Sequence, residues 1–225
     1  FRSFMNQPFR RLEGAIPAEL GDLKALTLLT LASNQLTGEI PRELGQLSEL
    51  RSLSFAENRL SGQVPKDLGC LKSLNFLRLN GNQLTGEIPA ELGGAESLHE
   101  LMLNGNQMTG EIPAELAELK SLVILALWSN HFSGGLPPGL GKLPRLAKLD
   151  LAKNRLSGPI PKELGQLPRL QQLYLDSNQL SGEIPPEFGN LKQLKRLSLG
   201  QNRLTGHIPA EIGQLKHLQW LHLCQ

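Results

Sequence analysis

Residues 26–49 read LTLLTLASNQLTGEIPRELGQLSE, and this 24-residue unit recurs without insertion or deletion from Leu12 to Leu223. One asparagine marks the same place in successive units. These marker asparagines are Asn34, Asn58, Asn82, Asn106, Asn130, Asn154, Asn178 and Asn202. A fixed period of this length is the signature of a repeat architecture, in which each unit packs against its neighbours.

Each unit contains the pattern of a short strand. Leu29 and Leu31 are two residues apart, so both side chains lie on the same side of an extended chain. The next unit repeats the strand in the same direction, which predicts a parallel sheet with a spacing of about 4.8 Å. Leu36, Ile40 and Leu44 are expected to point inward with the strand leucines. No unit can bury this set alone, so neighbouring units must cover it.

The residues that follow the strand predict a turn chemistry shared by all units. A buried asparagine there can bond backbone groups of its own turn and of the adjacent turn, so we predict a ladder of structural asparagines. Gly38 permits a bend with positive φ, and Pro41 fixes its own φ. The segment 41–45 is too short for an α-helix, and we predict a turn or 3₁₀ segment on the outer side.

The segment LTGEIP at 36–41, with its counterparts in the other units, resembles the L-x-G-x-I-P signature of the plant-type, 24-residue leucine-rich repeat. The resemblance covers nearly the whole chain. It implies an α/β repeat solenoid, a curved right-handed superhelix with a concave parallel sheet and short 3₁₀ or turn segments on the convex side. The chain is similar to the repeat arrays of receptor-like kinases and of LRR–Roco GTPases, which implies a non-catalytic module that binds other molecules.

The whole chain is predicted to form one leucine-rich-repeat domain. Residues 1–25 are expected to be a degenerate N-terminal capping repeat, because Met5 and Gln7 replace the strand leucines. Residues 26–217 form eight 24-residue repeats, and 218–225 begin a truncated ninth. That last strand would leave an open sheet edge, and the first residue is not Met, so we expect the sequence to be a fragment of a longer protein.

Comparison of the units with one another separates a uniform side from a variable side. The outer motif Pro-x-Glu-Leu-Gly recurs, for example at 17–21 and 41–45. The strand positions that flank the inward leucines change in almost every unit, and alternation places them on the concave face. A uniform scaffold with a diverse face is typical of a binding surface. The alternative explanation of the diversity is sequence drift at solvated positions.

We predict that the concave face binds a protein or peptide partner. Clustered exposed apolar groups mark interaction sites, and Trp, Tyr and Arg are common interface anchors. Phe76, Met102, Ile124 and Trp128 are expected to cluster in the middle of the face. The predicted partner-binding residues are Phe76, Arg78, Glu100, Met102, Ile124, Trp128, Lys148, Asp150, Tyr174, Asp176, Arg196 and Trp220.

A mixed-charge region is expected beside the apolar middle of the face. It comprises Lys148, Asp150, Lys153, Asp176, Lys195 and Arg196. Four of these residues are cationic and two are acidic. The cationic excess would orient an acidic partner segment.

Catalytic, metal, cofactor and nucleic-acid functions find no support. The five histidines lack metal-ligand spacing with Cys70 and Cys224. The Gly-rich stretch 134–142 fails as a phosphate loop, because Leu136 replaces its first glycine and Leu143 its Ser or Thr. A net charge of +2 supplies no strongly basic face for nucleic acid. No stretch approaches the roughly 20 apolar residues of a membrane helix, so membrane insertion is not expected.

Three functions remain open at this point. The first is recognition through the concave face, as the sensor part of a larger signalling or immune-type protein. The second is a scaffold that uses the convex face or the solenoid ends, with end-to-end or edge self-association. The third is an extracellular receptor ectodomain for a small ligand. The sequence has no Asn-x-Ser/Thr sequon and no Cys-bearing caps, which favours an intracellular location unless such caps were removed.

Overall fold

The computed structural model describes residues 11–224, so residues 1–10 of the predicted capping repeat, including Met5 and Gln7, lie outside the described residues. Nine parallel strands form one sheet whose strand order follows the chain. The strands are Leu28–Thr30, Ser52–Ser54, Phe76–Arg78, Glu100–Met102, Ile124–Ala126, Lys148–Asp150, Gln172–Tyr174, Arg196–Ser198 and Trp220–His222. Their register repeats by one unit, as in the pairing of Leu53 with Leu77. The predicted α/β repeat solenoid is confirmed.

Short 3₁₀ segments lie on the side opposite the sheet, as the Pro-x-Glu-Leu-Gly motif predicts. They span Ala18–Asp22, Arg42–Gln46, Lys66–Cys70, Ala90–Gly94, Ala114–Glu118, Pro138–Lys142, Lys162–Gln166, Pro186–Asn190 and Ala210–Gln214. A proline with extended backbone precedes each segment, such as Pro41 with φ −64° and ψ 130°. Within residues 11–224 no helix is long and apolar enough to cross a membrane.

A second set of short strands, which the repeat pattern did not predict, lies between the sheet and the 3₁₀ segments. Glu13–Ala15 pairs with Gln35–Thr37 near the N-terminus. Three more pair in the C-terminal half: Ser157–Pro159, Gln179–Gly182 and Arg203–Leu204. In the units between, similar backbone hydrogen bonds continue, as from the Ser61 N–H to the Gly38 carbonyl at 2.8 Å. Gly38 has φ 76°, the positive value that its bend requires.

The marker asparagines bond to backbone groups of two successive units. The Nδ2 of Asn106 donates to the carbonyls of Leu79 and Leu103 at 3.1 and 2.9 Å. Its Oδ1 accepts from the Leu84 N–H at 3.0 Å. Leu103 belongs to the same unit as Asn106, whereas Leu79 and Leu84 belong to the preceding one. Each such amide therefore closes its own turn and fastens that turn to its neighbour.

Close packing between units explains why the outer side is uniform. A Cβ added to Gly45 would lie 2.6 Å from the carbonyl oxygen of Asp67 in the next unit. The restriction is therefore close backbone approach and not a positive φ. Atoms of the next unit come within 2.7 Å of a Cβ built at each of Gly21, Gly69, Gly93, Gly141, Gly165 and Gly189. The recurring outer glycine is thus a packing requirement.

One unit departs from the recurring outer glycine, and its neighbour shows why packing requires that glycine elsewhere. Ala117 stands where the other units have glycine, and the next unit has Gly139 where the others have Glu or Asp. A Cβ added to Gly139 would lie only 2.9 Å from the Cβ of Ala117. The side chain absent at 139 therefore makes room for the one present at 117.

Replacing Asn106 by alanine is predicted to lower the free energy of unfolding by about 1–3 kcal/mol, because it leaves buried backbone groups of two units without partners. Gln107→Ala, at the exposed neighbouring position, is the matched control and should change stability by less than about 0.5 kcal/mol. Urea unfolding of both variants measures the difference. Equal losses in the two variants would contradict the role of the amide.

Gly139→Glu is predicted to lower the free energy of unfolding by about 1–3 kcal/mol through overpacking against Ala117. In an Ala117→Gly background the Gly139→Glu change should lower the free energy of unfolding by less. Positions 117 and 139 would then hold glycine and glutamate, the same pair as Gly93 and Glu115, which face each other one unit earlier. A double-mutant cycle measured by urea unfolding should show coupling of at least about 0.5 kcal/mol. Additive effects would show that the two positions do not compensate for each other.

Candidate functional site

The predicted partner-binding residues lie along the solvent side of the nine-stranded sheet. In each strand the middle residue is an inward leucine, such as the fully buried Leu77, and its neighbours face outward. The half-exposed members are Phe76, Arg78, Glu100, Met102, Ile124, Trp128, Lys148, Tyr174 and Asp176. Arg196 and Trp220 are exposed, whereas Asp150 is buried. The structure therefore places all twelve on one continuous face.

The charges on the N-terminal part of this face are paired. Arg78 and Glu100 form an ion pair at 2.5 Å across adjacent strands. The Arg78 guanidinium also lies 5.2 Å from the ring centroid of Phe76. The ring of Phe76 is 6.4 Å from that of His99, centroid to centroid. This region presents an aromatic surface whose charges balance each other.

The middle of the face is apolar and contains an amide oxygen without a partner. Met102 pairs with Ala126 in the next strand, and Trp128 follows that strand. Asn104 occupies the place equivalent to Trp128 one unit earlier and is 6% exposed. Its Oδ1 is the one buried side-chain nitrogen or oxygen atom within residues 11–224 that lacks a hydrogen-bond partner. A buried acceptor without a donor costs free energy, so Asn104 is a locally unfavourable element of this face.

The next part of the face is organised around Asp150. Its Oδ2 lies 3.3 Å from the Nζ of Lys148, which in turn is 5.6 Å from the ring centroid of Tyr174. Burial raises the pKa of Asp150 above its ordinary value of 3.8, while Lys148 lowers that pKa and Asp176 raises it. Asp150 is only 8% exposed. It therefore acts on this face mainly by holding Lys148 beside Tyr174.

The C-terminal part of the face carries stacked rings. The ring of Trp220 lies 6.0 Å from that of Tyr174 and 5.6 Å from that of His222, centroid to centroid. The planes of Trp220 and His222 differ by 4°. The Arg196 guanidinium donates to the Tyr174 hydroxyl at 3.5 Å. His222 was absent from the predicted set, although its place in the strand column matches that of Tyr174.

A large groove lies away from the concave face. It has a volume of about 1700 Å³ and runs along the flank formed by the Gly-x-Ile-Pro segments of several units. Glu39, Glu87 and Glu111 line it together with prolines. A Cβ added to Gly62 would lie 2.7 Å from the Cγ of Glu39, so these side chains pack over the next unit. The groove is thus a product of the repeat's uniform scaffold.

The described residues show no metal centre. Within residues 11–224 no three or more His, Cys, Asp or Glu side chains are grouped so that they could hold a metal ion. Cys70 and Cys224 are exposed and form no disulfide.

The family follows from comparison with known sequence families. A model described as a leucine-rich repeat region matches residues 57–184. Two further models described as leucine-rich repeats match residues 24–84 and 193–215. The chain belongs to the leucine-rich repeat family. No curated protein sequence matches it.

Solved structures of plant receptors share the fold. The plant peptide hormone receptor RGFR1, in complex with RGF2, is 39% identical with a TM-score of 0.94 over 95% of this chain and 34% of its own. The Arabidopsis receptor kinase HAESA, in complex with the peptide hormone IDA and the co-receptor SERK1, is 37% identical with a TM-score of 0.75. That match covers 95% of this chain and 40% of HAESA. The predicted similarity to receptor-kinase repeat arrays is confirmed.

A third solved structure is that of a protein with a different function. A plant ice-binding protein is 31% identical with a TM-score of 0.69, over 95% of this chain and 78% of its own. The chain spans much less of the two receptors, 34% and 40% of their lengths. The repeat fold therefore occurs in proteins with different functions, so the function of this chain has to be argued from its own site.

Proposed function

We propose that this chain is a non-catalytic recognition module that binds an extended peptide or protein segment along its concave face. The observation that carries the proposal is the contrast between the two sides of the same repeat. On the outer side, contacts such as that of Gly45 with Asp67 restrict what each unit can place there. On the concave face the outward residues differ from unit to unit, and a comparable contact occurs at Gly200, where an added Cβ would lie 2.4 Å from the carbonyl oxygen of Cys224.

Two structural neighbours support this proposal. RGFR1 is a plant peptide hormone receptor solved in complex with RGF2, and HAESA was solved with the peptide hormone IDA. Because this chain spans about a third of such receptors, its place as the sensor part of a larger signalling or immune-type protein is part of the proposal.

The dimensions of the face suit a peptide of about a dozen residues. Nine strands at a spacing of about 4.8 Å extend over roughly 38 Å. An extended chain advances about 3.3 Å per residue, so about 12 residues cross the face. Trp128, Tyr174 and Trp220 are the proposed anchors, since Trp and Tyr side chains contribute most to many interfaces.

The scaffold alternative has less support. Its main argument is the uniformity of the outer side, and packing between units already accounts for that uniformity at Gly45 and at the Ala117–Gly139 exception. A small-ligand receptor would need an enclosed pocket, whereas the groove described above lies on the flank and is lined by uniform repeat residues.

The double variant Trp128→Ala/Tyr174→Ala tests the proposal. The probe is the tightest binder from a displayed library of random 12-residue peptides, and binding is measured by isothermal titration calorimetry. Loss of two anchors is predicted to weaken binding by at least about 30-fold, which corresponds to about 2 kcal/mol. Arg42→Ala, on the outer side, is the control and should leave the affinity unchanged. Unchanged affinity in a folded double variant would exclude the concave face as the binding site.

A further inference from the structure

The C-terminal half of the concave side carries cations without ion-pair partners. Lys153 follows the strand Lys148–Asp150, Lys195 directly precedes the strand Arg196–Ser198, and Arg196 begins it. All three side chains are exposed. Within residues 11–224, none of the three forms an ion pair. We call these three residues the basic border of the face.

The side-chain hydrogen bonds of the basic border go to neutral groups. The Lys195 Nζ donates to Gln171 Oε1 at 3.2 Å, and the Arg196 guanidinium donates to the Tyr174 hydroxyl at 3.5 Å. A guanidinium has five N–H donors, so most of those of Arg196 remain free. Of the two carboxylates on this half, Asp150 is already bonded to Lys148, and the half-exposed Asp176 forms no ion pair within residues 11–224, so it offsets one of the three positive charges. The positive charge of this half is therefore largely uncompensated.

The preceding half differs in chemistry. Arg78 is neutralised by Glu100 at 2.5 Å, and the side chains that follow are those of Met102, Ile124 and Trp128. The face is therefore polarised along the solenoid, with an apolar part in the third to fifth strands and a cationic part in the sixth to ninth. A partner that matches the whole face must have the complementary order of residues.

We infer that the partner segment is an amphiphilic peptide, apolar where it lies over the third to fifth strands and rich in Asp and Glu where it lies over the sixth to ninth. This inference rests on the proposed function and adds the chemical class and the polarity of the ligand. The Tyr174 and Trp220 rings, 6.0 Å apart, lie on the seventh and ninth strands beside Arg196, and they would hold the peptide within its acidic part.

The test is a selection from displayed random 12-residue peptides against the wild-type chain. The enriched peptides should carry Asp and Glu clustered towards one end and apolar residues towards the other. The variant Lys195→Glu/Arg196→Glu should bind the best peptide at least about tenfold more weakly, because two attractions become repulsions. Replacing the acidic residues of that peptide by lysine should restore binding to this variant.

The control variant Lys66→Glu/Lys162→Glu makes the same change in net charge on the outer side and should keep wild-type affinity. Enriched peptides without an acidic bias would overturn the inference and leave the proposed function standing. Failure to enrich any peptide would overturn both. Equal or tighter binding of a 20-nucleotide oligo-dT, weakened in the Lys195→Glu/Arg196→Glu variant, would also overturn the inference, since the basic border would then serve a nucleic acid.

Discussion

The structure depends on the hydrogen bonds by which each marker asparagine joins two units. A unit of 24 residues can neither bury its own leucines nor satisfy its own turn, and the amide of Asn106 shows how the neighbour completes it. Because each amide bonds both its own and the preceding unit, the spacing of the turns is fixed along the array. The 3₁₀ segments are then brought so close that glycine is needed at positions such as Gly45.

The same constraint separates the uniform outer side from the variable concave face, where we propose that a partner binds. Outer residues face the next unit, so a change at one position requires a change at its neighbour, as Ala117 and Gly139 show. On the sheet face the outward residues differ from unit to unit, and close backbone approach recurs there at Gly200. Their differences add up to an apolar middle, the Lys148–Asp150 pair and the basic border. The proposed site therefore lies where the units differ most.

Much of this was predictable from periodicity. The alternation of Leu29 and Leu31 predicts the sheet, and the proline and glycine of each unit predict the 3₁₀ segments. The second set of short strands was missed because these strands have only two to four residues and show no alternation. The left-handed backbone of residues such as Ser33, with φ 59°, was also missed, because it follows from the turn and not from residue type. The burial of Asp150 and the stacking of Trp220 on His222 depend on neighbouring side chains, which no period describes.

The two tryptophans of the chain both lie on the concave face and offer the most direct measurement. The indole N–H signals of Trp128 and Trp220 can be followed by ¹⁵N NMR while the selected 12-residue peptide is added. The account predicts that both signals shift and saturate together with the binding isotherm, while amide signals of the 3₁₀ segments stay in place. Saturated binding with both indole signals unmoved would contradict it.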